Sequence, residues 1–313
     1  MKTPVLFLIF NRPELTFRVF EEIRKAQPKQ LFIAADGPRE DKEGEAEKCE
    51  LTRSIVNKID WSCEVKTLFR DKNLGCKNAV SSAITWFFDN VEEGIILEDD
   101  CLPNQSFFTF CEELLERYRD NKTIMHIGGT NFQDGIARSE FSYYFSNLSH
   151  IWGWATWRRA WKKYTTDMDG FEEFLSKDKL KKTLGNKIFA DFFNKKLRQT
   201  FDGTINTWDY QWSFTIWKNN GICIIPNKNL VSNIGFGNNA THTVETNSEL
   251  SVIKTEEIYS VYHPDKITIN FKADNYFIGK HIGYNGIADY YYKLSKKRLV
   301  NFFYPYYCRY FKN

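Results

Sequence analysis

No stretch of the sequence strings together the about eighteen apolar residues that a membrane span needs. Nor is there a large excess of one charge. The 43 Lys and Arg against 40 Asp and Glu leave a formal net charge of +3, far from the basic balance of a nucleic-acid binder. The seven cysteines (Cys49, Cys63, Cys76, Cys101, Cys111, Cys223, Cys308) include no CxxC pair. That spacing argues against a zinc site or a disulfide framework and for reduced thiols. The string G-x-x-x-x-G-K-[ST] is absent, which excludes a P-loop nucleotide site. The apolar N-terminus runs into Asn11-Arg12-Pro13 where an export signal would carry small residues at a cleavage site, so it reads as a first strand. Internal repeats and low-complexity linkers are missing too. These absences predict a protein that is cytoplasmic and soluble, or at most peripheral to a membrane.

Aromatic residues, by contrast, are plentiful at 17%, enough for a large core and for stacking surfaces. The chain is organised around residues 94–103, GIILEDDCLP, where three apolar residues run straight into Glu98, Asp99 and Asp100 before a proline. A short apolar run bounded by Gly94 and Pro103 suits a buried parallel strand. Alternation along that strand predicts Glu98 and Asp100 on one side and Asp99 on the other. Three adjacent carboxylates at a strand's carboxyl end repel one another unless a cation or a donor-rich ligand sits among them. Hard oxygen ligands there suit Mg²⁺ or Mn²⁺ shared with a phosphate. The plainer alternative is an acidic turn leading into the next helix, with Asn104 as its N-cap.

Taken in order, the chain alternates strands and helices through residue 130. Residues 4–10, 31–35, 65–69, the acidic strand and 124–127 read as strands. Helical faces lie between them, the first capped by Asn11 with Pro13 in its first turn. Such alternation predicts an α/β fold with a mainly parallel, Rossmann-like sheet and helices on both faces. The second half reads as a short strand at 143–145, the Trp-rich run 151–161, a Lys-rich helical stretch over 171–197, a helix within 207–217 and a strand at 222–225. A Gly/Asn-rich loop, 235–243, and an aromatic, basic tail from residue 301 follow.

Polar residues stand at successive strand ends: Arg12, Asp36, Lys77 and Glu98–Asp100. In this order the strings FNRPE, AADGPR, NLGCKNA and ILEDD resemble nucleotide-sugar-dependent glycosyltransferases of the GT-A fold, and ILEDDCLPNQSFF resembles the N-acetylglucosaminyltransferase I-like branch. The resemblance covers residues 3–130 and reaches thinly into the second half through WGWATW, WDYQW and GNNATHT. It implies a nucleotide-sugar donor held by Arg12, Asp36, Lys77, Glu98 and Asp99, with Asp36 reading the base. It also implies Mn²⁺ or Mg²⁺ on Asp100, with His242 joining when its loop closes. The chain shows E-D-D where many relatives show D-x-D, which leaves open which carboxylates face the metal. The corresponding organisation is a nucleotide-sugar-binding half over 1–130, an acceptor and catalytic half over 131–250, and an extension over 251–313.

Transfer also needs a base for the acceptor hydroxyl. Asp209, framed by Trp208 and Tyr210, is the favoured residue, with Asp167 and Asp169 as weaker candidates and helix capping as its plainer role. Trp154 and Trp208 are expected to offer rings to an acceptor sugar, although tryptophans in such clusters are commonly core. The expected activity is inverting transfer to a glycan or lipid-linked saccharide in surface polysaccharide synthesis, with the tail touching a membrane peripherally and no nucleic-acid partner. A sugar nucleotidyltransferase would carry a Gly-rich basic loop after the first strand, where Asn11-Arg12-Pro13-Glu14 stands instead. A degenerate GT-A fold that binds a glycan or partner without turnover is the non-enzymatic alternative.

Overall fold

The computed structural model describes residues 1–236 and 253–281. His242 and the aromatic tail lie outside the described residues. The first half alternates as its periodicity predicts: β1 (Val5–Ile9), α1 (Pro13–Ala26), β2 (Gln30–Ala35), α2 (Glu45–Arg53), β3 (Glu64–Phe69), α3 (Gly75–Asn90), β4 (Glu93–Glu98), a short β5 (Cys101–Pro103), α4 (Gln105–Arg117) and β6 (Ile124–Gly128). The second half contributes β7 (Tyr143–Ser146), β8 (Trp154–Trp157), α5 (Arg158–Trp161), α6 (Phe171–Ser176), α7 (Lys179–Leu184), α8 (Lys187–Phe201), α9 (Asp209–Lys218), β9 (Ile222–Pro226), β10 (Val231–Asn233) and α10 (Phe271–His281).

The α/β class expected from the sequence is the one found. An eight-stranded sheet runs in the order β3-β2-β1-β4-β8-β6-β9-β7, so strands of both halves share it. Strands β3, β2, β1 and β4 are parallel, and β6 pairs in parallel with β9. β8 and β7 run against their neighbours. The chain steps outward from β1 to β2 and β3, then returns to lay β4 on the other side of β1. That reversal makes the β1/β4 crevice a topological switch point, the place where open α/β sheets bind ligands at their carboxyl edge.

Strand alternation explains why these strands are apolar throughout. Val5, Phe7, Ile9, Ile95 and Leu97 face one core with Val19, Phe20 and Ile23 of α1 and Phe107, Phe110, Leu114 and Leu115 of α4. Leu6, Leu8 and Ile96 face the other with Ile84, Phe87 and Phe88 of α3 and Trp212 and Ile216 of α9. Burial on both faces removes any need for polar residues in alternate positions.

Two local expectations are corrected. The stretch 171–197 is three helices, not one, because Asp178 (φ 50°) and Gly185 (φ 65°) adopt left-handed backbone that ends a helix. Asn11 does not cap α1: Arg12 holds the N-cap position and the Asn11 side chain donates to Glu45 at 2.8 Å. Asn104 does cap α4, accepting from the Phe107 amide at 3.1 Å. Near the end of the described chain, α10 is pinned to β7 by Asp274, which accepts from Ser146 Oγ at 2.5 Å and from the Asn147 amide at 3.0 Å. No helix among the described residues is long and apolar enough to cross a membrane.

Candidate active site

β1 and β4 deliver their carboxyl ends side by side, with Leu8 paired to Glu98 as the last step of the register. Regular strand ends at Glu98, and Asp99–Asp100 form a turn before β5. Strict alternation therefore stops one residue too early for the expected split. Asp99 and Asp100 do not face apart; both reach Arg12, at the mouth of α1. Arg12 Nη1 donates to Asp100 Oδ2 at 3.0 Å and Nη2 donates to Asp99 Oδ1. The second oxygen of Asp99 accepts the Phe10 amide at 3.3 Å. Burial works against the Arg12 charge, but Asp99 and Asp100 outweigh it and hold the guanidinium above its usual value. Asp99 is only 2% exposed, and burial pushes its carboxyl up to about 6 despite Arg12.

Glu98 stands differently. Its partly buried carboxylate has no hydrogen bond or ion pair among the described residues. Burial, then repulsion from Asp100 and Asp99, raises it to about 8, with Arg12 opposing and Asp209 adding to the rise. Asp209 is thus the carboxylate of the second half whose charge reaches the acidic turn. It opens α9, and Thr207 Oγ1 donates to its Oδ1. Cys76, in the first turn of α3, is pushed up to about 12 by burial and then by Glu98, Asp209 and Asp36. The end of β4 and the first turns of α3 and α9 therefore lie within electrostatic reach of one another. The Tyr164 hydroxyl donates to the Trp208 carbonyl at 3.2 Å, holding the start of α9. Asp167 and Asp169 are exposed residues of the loop before α6.

Asp36, expected to read a base, is occupied by backbone. Its oxygens accept from the amides of Gly37 at 2.9 Å, Leu74 at 2.9 Å and Gly75 at 3.0 Å, so the end of β2 is tied to the start of α3. Any base contact by Asp36 would have to share those acceptors. Lys77 follows in the first turn of α3, and its side chain has no hydrogen bond or ion pair among the described residues.

The expectation that Trp154 and Trp208 present rings to an acceptor is overturned. They are 0% and 2% exposed and stack on each other at 5.7 Å and 18° within the α3–α9 core. A ring without exposed surface has no face to offer a sugar. Within the tryptophan cluster Trp152 alone keeps partial exposure, with Phe236 edge-on at 5.7 Å. Sequence reading also missed Thr207, whose T-x-D spacing to Asp209 was the available signal, and Gly235. A Cβ on Gly235 would fall 2.3 Å from Asp100 Oδ2 and 2.9 Å from Arg12 Nη1, so the Gly235 backbone roofs that ion pair.

Among the described residues no three His, Cys, Asp or Glu side chains gather into a protein-only metal cage. An octahedral cation shared with a diphosphate needs only one or two carboxylates. Glu98 and Asp100 fit that demand: they are hard donors, and among the described residues the Glu98 carboxylate is unpaired and Asp100 Oδ1 receives nothing stronger than the Cys101 thiol at 3.5 Å. Burial is the main cause of the raised Glu98, and the repulsion from Asp100 that adds to it is what a cation held by both would relieve.

No known protein-family pattern and no curated protein matches the sequence. Among solved structures, the chain is similar to S. aureus TarS 1-349, at 10% identity over 74% of this chain and 59% of that one, with a TM-score of 0.41. It is also similar to HddC from Yersinia pseudotuberculosis, at 8% identity over 52% of this chain and 80% of that one, with a TM-score of 0.32. The match thus spans less than two thirds of the TarS chain.

Proposed function

We propose that the protein is a nucleotide-sugar-dependent glycosyltransferase on a GT-A fold, dependent on Mn²⁺ or Mg²⁺ and inverting in its stereochemistry. One observation carries this reading: the charged cluster Arg12, Glu98, Asp99 and Asp100 sits at the carboxyl edge of the β1/β4 switch point, with Asp209 acting on it from the opposite half. Asp36 at the end of β2 and Lys77 in the first turn of α3 would border the nucleotide. Glu98 and Asp100 would hold the cation, with His242 as a further ligand. When bound, that cation supplies charge neutralisation for the leaving diphosphate.

The chain's own part in the chemistry follows from its placement. Asp209 takes the proton of the acceptor hydroxyl on its Oδ2, because Thr207 already engages Oδ1. Direct displacement with a base on the acceptor side inverts the anomeric centre. UDP is the favoured carrier, and the EDD-containing string keeps the N-acetylglucosaminyltransferase I-like branch as the favoured subgroup. The acceptor class proposed is a glycan or lipid-linked saccharide of surface polysaccharide synthesis, met at the cytoplasmic face of a membrane.

Hydrolysis of a panel of UDP-, GDP- and CDP-sugars with and without Mn²⁺ tests the reading. Cation-dependent release of one nucleoside diphosphate is expected. A panel without turnover under either condition, while the folded protein still binds a glycan, would favour the non-catalytic alternative.

A further inference from the structure

Arg12 is the feature of this site that a strong metal site would not be expected to contain. Its guanidinium is forked across two of the three carboxylates, and the three side chains are 20%, 3% and 15% exposed for Arg12, Asp99 and Asp100. The pair is built in on several sides. The Phe10 amide holds the far oxygen of Asp99, and the Ile234 amide donates to the Asp100 carbonyl at 2.8 Å. Gly235 then lies so close over the Arg12–Asp100 contact that no side chain would fit there. A divalent cation brought to Asp100 would meet a fixed positive charge on the same carboxylates. A guanidinium fork fits phosphate oxygens as well as carboxylate oxygens, however, and a diphosphate offers it an alternative seat.

We propose that Arg12 is the resident cation of this site, holding Asp99 and Asp100 until a nucleoside diphosphate draws it away, so that divalent cation and nucleoside diphosphate enter together and neither enters alone. This inference rests on the glycosyltransferase reading of the same site. It adds a role for Arg12 as a positioning residue that keeps the metal carboxylates closed in the absence of donor. Binding then starts from carboxylates already partly neutralised by Arg12, and release of the diphosphate returns Arg12 to Asp100 and discharges the metal.

The test is a Mn²⁺ titration read by the electron paramagnetic resonance of free Mn²⁺, on wild type, Arg12→Gln and Arg12→Lys, with and without UDP, GDP or CDP. Wild type is expected to bind Mn²⁺ weakly alone and at least about tenfold more tightly with one nucleoside diphosphate. Arg12→Gln, freed of the competing charge, should bind Mn²⁺ alone about tenfold more tightly than wild type and gain little from the nucleotide. Arg12→Lys, which keeps the charge but loses the fork, should fall between them, and it carries the test should Arg12→Gln not fold. If wild type binds Mn²⁺ with nucleotide but neither variant binds Mn²⁺ alone more tightly than wild type does, the latch is wrong while the reading of the site stands. If no protein of the three binds Mn²⁺ or any nucleotide, the reading itself fails and the latch with it.

Discussion

Arg12, at the end of β1, donates to Asp100, just past the end of β4, at 3.0 Å across the crevice between the two strands. The contact joins residues 88 positions apart in sequence, at the point where the sheet reverses its order. It explains how three consecutive acids are tolerated at a buried strand end. Two share one guanidinium, and the third, Glu98, stays protonated more readily than an ordinary carboxylate.

That imbalance predicts a pH effect. Between 4.5, its ordinary value, and about 8, Glu98 holds a proton in the folded protein that the unfolded chain has released. The folded state then binds more protons, so Glu98 lowers stability as pH rises through this window and adds no further slope above it. Glu98→Gln removes that slope. Its stability relative to wild type should rise from pH 5 to pH 8 by something on the order of 1–3 kcal/mol, followed by denaturant unfolding at each pH. A difference that is flat with pH would refute the assigned environment of Glu98.

Asp209→Asn should bind donor and Mn²⁺ nearly as wild type does and lose about 10²–10⁴ in transfer rate. NMR of the product's anomeric proton reports the stereochemistry separately. Retained configuration, or a variant within a few-fold of wild type, would move the base elsewhere. Thr207→Val should lower the rate less, since it frees one oxygen of Asp209 without removing the carboxylate.

Trp154→Ala tests the correction made above. With Trp154 fully buried against Trp208, Trp212 and Trp161, the loss should cost about 3–5 kcal/mol of stability. The part that folds should keep its acceptor KM. A variant of wild-type stability with a raised acceptor KM would restore Trp154 to the acceptor site.

Gly235→Ala forces a Cβ into the space taken by Asp100 Oδ2 and Arg12 Nη1. Nucleoside diphosphate binding, measured by calorimetry, should weaken by about tenfold or more, because either partner must leave its place. Unchanged affinity would mean that the 234–236 backbone does not set this ion pair.

The parallel half of the sheet was legible in the sequence because β1, β2 and β4 are buried on both faces, which leaves apolar runs between turn residues, while β3 at the sheet edge is partly exposed. The position of the acidic cluster followed from the same run. What the acids face did not, because β4 ends at Glu98 and the turn after it rotates Asp99 and Asp100 toward one arginine. Asp36 had a sound local reading as a turn residue, which its contact with the Gly37 amide matches, whereas the Leu74 and Gly75 amides reach it from 38 and 39 positions along the chain and left no local signal. The tryptophans misled for a physical reason: ring chemistry is equally suited to a sugar platform and to a core, and only tertiary burial separates the two. Gly235 carried no local signal, since its constraint comes from Asp100 and Arg12, far away in the chain.

The central claim is most directly tested by thermal unfolding of wild type and Asp100→Asn in the presence of UDP, GDP or CDP, each with and without Mn²⁺. At a nucleotide concentration about a hundredfold above its Kd, linkage stabilises the folded state by about 2.7 kcal/mol, or about 3–5 °C for a chain of this size. The account predicts that shift for wild type with one nucleotide and Mn²⁺ together, little without the cation, and little in Asp100→Asn under any condition. Equal shifts in wild type and Asp100→Asn, or no shift with any nucleotide, would contradict it.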